Sequence, residues 1–144
     1  MTMKRETING KTYTVTSPPV GIQRKRVAGY DMQAESMAVN GRPAKSVCRP
    51  HKWGNIYYVK ETAAGWGVYS TEDKELYGEG NKADMLGYCL FLFGDYARMR
   101  LSKDPAWLEP LRGYNLACFC GVGEPCHRDV YLELLYGFGE VGEL

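Results

Sequence analysis

The stretch Asn115–Leu135, NLACFCGVGEPCHRDVYLELL, passes from an apolar run through a Gly-rich turn into an amphipathic segment. Leu116 to Cys120 has the length and composition of a strand. Pro125 to about Tyr136 has helical spacing, with Pro125 at the first helical position, where its missing N–H costs nothing. Upstream, Asn81 caps a predicted helix from Lys82 to about Leu101, with Leu86, Cys89, Leu90, Phe93, Tyr96, Ala97 and Leu101 on one stripe. Cys89 lies in that stripe and reads as core. Asp104-Pro105 predicts a short helix to Leu111. Helix, strand and helix in that order predict an α/β class: a mixed, mostly parallel, Rossmann-like sheet with flanking helices.

Further towards the N-terminus the signals are antiparallel. Residues 4–8 and 11–16 flank Asn9-Gly10, a turn pair that favours a hairpin. Ile56–Lys60 and Trp66–Ser70 predict a second hairpin across Ala63-Ala64-Gly65. Gly21–Arg26 and Ala44–Cys48 read as short strands, Gly78–Asn81 as a polar break, and Gly29–Ala44 carries no clear period. The expected organisation is an N-terminal β-hairpin extension (1–19), a single α/β domain (20–138) and a flexible tail (139–144).

With 144 residues the chain is long enough to bury a core. Five cysteines, an odd number with three clustered, argue for a reducing compartment and against a disulfide framework. The start, MTMKRETING, has no apolar stretch behind its basic residues, and no run of about 18 apolar residues follows. A cytoplasmic protein with no membrane partner is expected. Residues 1–60 hold eleven Lys/Arg against three Asp/Glu, whereas 61–144 hold seven against fourteen. That asymmetry suits an anionic partner, or two halves of one domain that attract each other. The overall charge of +1 disfavours a dedicated nucleic-acid binder, and Arg24-Lys25-Arg26 on a strand cannot all face one side.

Two blocks of residues carry a resemblance. The first is Arg24-Lys25-Arg26 with Gly29-Tyr30, then Arg49-Pro50 and Lys52-Trp53-Gly54-Asn55. The second is Leu111-Arg112-Gly113, Leu116 to Cys120, and Pro125-Cys126-His127-Arg128-Asp129-Val130 with Leu132-Glu133-Leu134. Together they resemble domain-of-unknown-function family 4326, common in phages and bacteria, over roughly residues 20–137. The Cys-His-Arg variant is also fainter in its similarity to unknown-function family 488. The resemblance implies an α/β fold and no established activity. Cys48 stands where that family often has Gly, and Phe119 where it often has Trp.

Three chemistries suit the cysteine-histidine run. Cys118, Cys120, Cys126 and His127 are a zinc-type donor set, although Cys-x-Cys on a strand is not the usual knuckle spacing. Alternatively, Cys126 at a helix N-terminus is a candidate nucleophile, with no separate base evident. The third is an anion-receiving loop: Gly121 and Gly123 open the backbone to a ligand at a helix start, with His127 and Arg128 in the first turn. Arg49 as a planar fork, Trp53 as a flat face and Asn55 as an edge reader complete an expected pocket, with Arg24 and Arg26 as further anion contacts. Asp129 and Glu133, one helical turn apart, are the candidate acid or base residues. The leading expectation is a protein that binds a nucleotide or nucleoside-phosphate-like ligand and acts on its glycosidic or phosphate bond. A non-enzymatic sequestering protein and a zinc-stabilised interaction module are the alternatives.

Overall fold

The computed structural model describes residues 3–121 and 124–137 of the chain. Gly123 and the expected tail at 139–144 lie outside the described residues. Asn9 and Gly10 both adopt positive φ (50° and 83°), the turn that matches strand twist. They join β1 (Lys4–Ile8) to β2 (Lys11–Val15) as an antiparallel hairpin. The segment without a clear period is a helix, α1 (Met32–Asn40). Asp31 caps it by accepting from the Ala34 amide, and Gly41 ends it in the left-handed conformation. Asn40-Gly41, a pair that also suits a turn, is here a helix stop. A Cβ on Gly41 would lie 2.0 Å from the Thr14 carbonyl oxygen, so the hairpin docks where only glycine fits.

Around α1 lie β3 (Gly21–Gln23) and β4 (Ala44–Ser46), which do not pair with each other. Strand β8 (Asn115–Cys118) enters between them, parallel to both, with Ile22 and Ser46 each opposite Ala117. All four β8 residues are buried. A buried polar network fixes the start of that strand. Asn115 Nδ2 donates to Ser36 Oγ and Asn40 Oδ1 at 2.8 Å, and Asn115 Oδ1 accepts from the Val20 amide at 3.0 Å. The third sheet is antiparallel: β5 (Tyr57–Thr62), β6 (Gly65–Ser70) and β7 (Leu76–Gly80) in that order.

The result is a mixed α/β domain, but the expected mostly parallel sheet is not what forms. Only β3-β8-β4 is parallel, and the other two sheets are antiparallel. The two expected hairpins form sheets of their own instead of joining the parallel one, and Leu76–Gly80, expected to be a break at its end, runs as a strand that extends the second. The long helix α2 (Lys82–Lys103) starts on the Asn81 cap as expected. It buries Cys89, Phe93, Gly94 and Ala97 and leaves Leu86 half exposed. The short helix after Asp104 shrinks to a 3-10 turn at Glu109–Leu111. The last helix, α3 (His127–Tyr136), begins two residues later than expected, with Cys126 rather than a residue before Pro125 as its N-cap. One core joins these layers, built from Val47, Trp53, Phe93, Leu108, Leu116, Tyr131, Leu132 and their neighbours. No helix among the described residues is long and apolar enough to cross a membrane.

Candidate metal centre

Because β3, β8 and β4 are parallel, their carboxyl ends share one edge, and the start of α3 returns to it. Cys118 closes β8, Cys120 lies two residues on, and Cys126 caps α3. The three Sγ atoms lie within 4.8 Å of one another. A tetrahedral zinc with Zn–S bonds of about 2.3 Å needs sulfurs about 3.8 Å apart, so a contraction of about 1 Å or less would seat the ion. All five cysteines are free thiols. The strand spacing is therefore no obstacle, because the chain bends after Cys118 and brings Cys120 round to the same side.

The surroundings favour thiolate. The Cys126 thiol, the Cys120 amide and the nearby Cys48 thiol all direct hydrogen towards the Cys118 sulfur, holding its pKa well below the ordinary thiol range against the opposing effect of burial. Cys126 is displaced upward, first by its hydrogen bond to Cys118 and then by burial. Both effects oppose the lowering that a helix N-terminus gives a thiol. Cys120 is displaced upward by burial. Cys48 is buried, with Sγ 3.7 Å from the Ala117 carbonyl oxygen. Sequence reasoning passed over it, and its place just beyond β4 is the only signal that could have found it.

His127 is 7% exposed, and its Nε2 lies 2.6 Å from the Val47 carbonyl oxygen. A carbonyl only accepts, so Nε2 carries the proton. Burial lowers the ring's pKa and keeps it neutral, leaving a lone pair on Nδ1, which lies 3.7 Å from Cys126 Sγ. A ring whose outer nitrogen is tied to a carbonyl while the inner one faces sulfur has the orientation of a metal-ligating histidine.

Arg128 is the largest fully buried side chain. Its guanidinium donates to the carbonyls of Cys120 and Gly121 at 2.7 Å, and more weakly to Ile22 at 3.3 Å and Cys118 at 3.5 Å. Nε has no partner. The nearest carboxylate, Asp129, stands 3.9 Å from that atom with a side chain 55% exposed. Arg128 is thus a girder for the loop rather than a contact for a free ligand. Gly21 makes room for it: a Cβ there would lie 2.7 Å from Arg128 Nε.

The other expected binding residues are spent on the chain itself. Arg49 donates to the Asn55 and Tyr57 carbonyls at 2.9 and 3.1 Å. Asn55 Oδ1 accepts from the Tyr57 amide at 2.8 Å, a turn role. Trp53 is 5% exposed, edge-on to Tyr131 and accepting its hydroxyl at the backbone oxygen. The Gly121 amide, expected to face an anion, is taken by the Glu124 carboxylate at 2.6 Å. Arg24 and Arg26 flank the Phe119 ring at 4.9 and 3.9 Å, and Arg24 also reaches Ser46 Oγ at 3.0 Å. Burial raises the Asp129 carboxyl, with Arg128 opposing. Glu133 lies half-buried one turn further along α3. The structure therefore gathers the three cysteines, His127 and Arg128 into one centre. The Arg49 and Asn55 side chains bond within their own loop.

A family model described as a domain of unknown function, DUF4326, matches residues 22–137. No curated protein and no solved structure matches the chain.

Proposed function

This chain belongs to the DUF4326 family, and we propose that it is a zinc-binding protein. In this reading Cys118, Cys120 and Cys126 hold the ion and Nδ1 of His127 supplies the fourth donor. The observation that carries the reading is the approach of three free Sγ atoms to within 4.8 Å of one another. Four protein donors would fill a tetrahedral ion's coordination, which is the character of a structural rather than a catalytic site. The metal then staples the carboxyl end of β8 to the first turn of α3.

Charge supports the same conclusion. Three thiolates on a divalent ion with a neutral imidazole leave one net negative charge. Arg128, 1% exposed and bonded to the Cys120 carbonyl, supplies positive charge beside it in addition to its 3.9 Å pairing with Asp129.

Native mass spectrometry and elemental analysis of purified protein test this. One zinc per chain is expected, lost with a chelator and in Cys118→Ser or Cys126→Ser. Cobalt substitution of the stripped protein should give thiolate-to-cobalt charge-transfer bands, shifted in His127→Ala. Folded protein that carries no metal and takes up no cobalt would refute the proposal.

A further inference from the structure

Behind the metal centre the aromatic core opens on the other side. His127 packs on Tyr131 at 5.8 Å, and Tyr131 packs on Trp53 at 5.8 Å. Beyond Trp53 lies a cavity of about 360 Å³ between the 52–56 loop, the end of α2 and the 104–110 segment. That volume falls within the range of small-molecule sites, which begins at about 300 Å³.

Its walls are flat and its mouth is basic. Trp53 and Trp107 stand 5.8 Å apart at 42°, forming a wedge, and Tyr96 closes the back edge-on to Trp107 at 6.3 Å and 86°. Lys52 Nζ lies 5.1 Å over Trp53, and Arg100 Cζ lies 5.0 Å over Trp107 while donating to the Tyr96 hydroxyl at 2.9 Å. Neither cation forms an ion pair among the described residues. The acid at the rim, Asp104, accepts from the Ala106 amide at 3.2 Å. Both cations rest on ring faces for want of an anion, the weaker of the two partnerships open to them. Their positive charge also repels a cationic guest from this aromatic corner.

We propose that this cavity binds a flat aromatic ring bearing an anionic group, of the class of a nucleoside monophosphate or an aromatic carboxylate. The ring lies in the cavity against the indole pair, which is already in mutual contact at 5.8 Å, and Lys52 and Arg100 turn from the indoles to the anion. This site shares Trp53 with the pocket expected from the sequence but lies against α2 and the 104–110 segment rather than the Gly121–Arg128 turn, and it does not depend on the zinc reading.

The test is a titration of the full-length protein, followed by tryptophan emission and thermal shift. The probes are the four nucleoside 5′-monophosphates and indole-3-acetate, with adenosine and inorganic phosphate as controls. At least one anionic aromatic should saturate, with adenosine and phosphate weaker by about tenfold or more. Lys52→Gln with Arg100→Gln, both exposed and outside the core, should weaken that probe by a similar factor, whereas Arg24→Gln with Arg26→Gln should leave it unchanged. Saturation by monophosphates alone or by the carboxylate alone identifies which anion the rim selects, and supports the site. No saturation up to about 5 mM, equal binding of adenosine, or loss only in the Arg24/Arg26 variant would each overturn it.

Discussion

Replacing Arg128 by Met keeps most of the side-chain volume and removes the guanidinium from the end of the parallel sheet. Two bonds of 2.7 Å, to Cys120 and Gly121, are lost, together with the longer ones to Ile22 and Cys118. A hydrogen bond from a charged group contributes about 1.5–3 kcal/mol, so the two short bonds amount to about 3–6 kcal/mol. Relief from holding a charge out of water, with added apolar burial, returns about 1–3 kcal/mol. The net loss is about 3 kcal/mol, which for a chain of this size lowers Tm by about 10 °C. Thermal unfolding with zinc present reads the stability, and competition with a chromophoric chelator reads the metal affinity, which should fall as well because the anionic centre loses its counter-charge. A Tm within about 2 °C of the parent, at unchanged metal affinity, would refute the assignment of Arg128 as the girder of this edge.

Arg42 bonds Glu6 through both carboxylate oxygens at 2.9 Å and holds its pKa below the usual carboxylate range. The folded state therefore binds that proton more weakly than the unfolded one. The stability is present above the unfolded value of about 4.3 and is lost as pH falls through the depressed one. Glu6→Gln should cost about 2 kcal/mol in urea unfolding at pH 7 and remove that part of the acid-side decline; an unchanged pH profile would count against the pair. Gly41→Ala should destabilise by more than about 2 kcal/mol, because positive φ and the Thr14 carbonyl both oppose a Cβ; denaturant midpoints measure it. Tyr131→Phe should cost about 1 kcal/mol through the lost 2.8 Å bond to the Trp53 carbonyl. Burial pushes the Cys89 thiol up to about 11, so iodoacetamide at neutral pH, followed by peptide mass mapping, should spare it. The half-exposed Cys120 should be the first modified, and only after metal removal.

What the sequence made legible was local. The Asn9-Gly10 turn, the Asn81 cap and the strand-turn-helix around the cysteines are each specified by neighbours in the chain, and each appears nearly as expected. α1 was hidden because it buries polar residues, Ser36 and Asn40, so no apolar stripe announces it. β7 was hidden because glycines at 78 and 80 mimic a break, whereas they lie under close-packed side chains of Tyr88 and Met85. Sheet type was the least legible property, since parallel pairing depends on which distant strand arrives. The clustering of Cys118, Cys120 and Cys126 was readable in the chain, whereas their spacing argued against convergence. The roles of Arg49, Asn55 and Arg128 were not readable, because a guanidinium bonded to carbonyls of its own fold carries the same letter as one awaiting a phosphate. Trp107 stood apart from any motif, and only the fold sets it against Trp53.

The position of β8 between β3 and β4 bears on how the molecule comes into being. The parallel layer has its centre in residues 115–118, which reach the Val20 amide from ninety-five positions away in the chain. Until those residues are synthesised, β3 and β4 lack the strand with which both pair. Such long-range pairing forms slowly and exposes apolar surface meanwhile. Cys120, Cys126 and His127 emerge only a few residues behind the strand that completes the layer. Zinc capture would then coincide with insertion of the central strand, and the ion would act as a latch on the slowest step of assembly as much as a support for the finished fold.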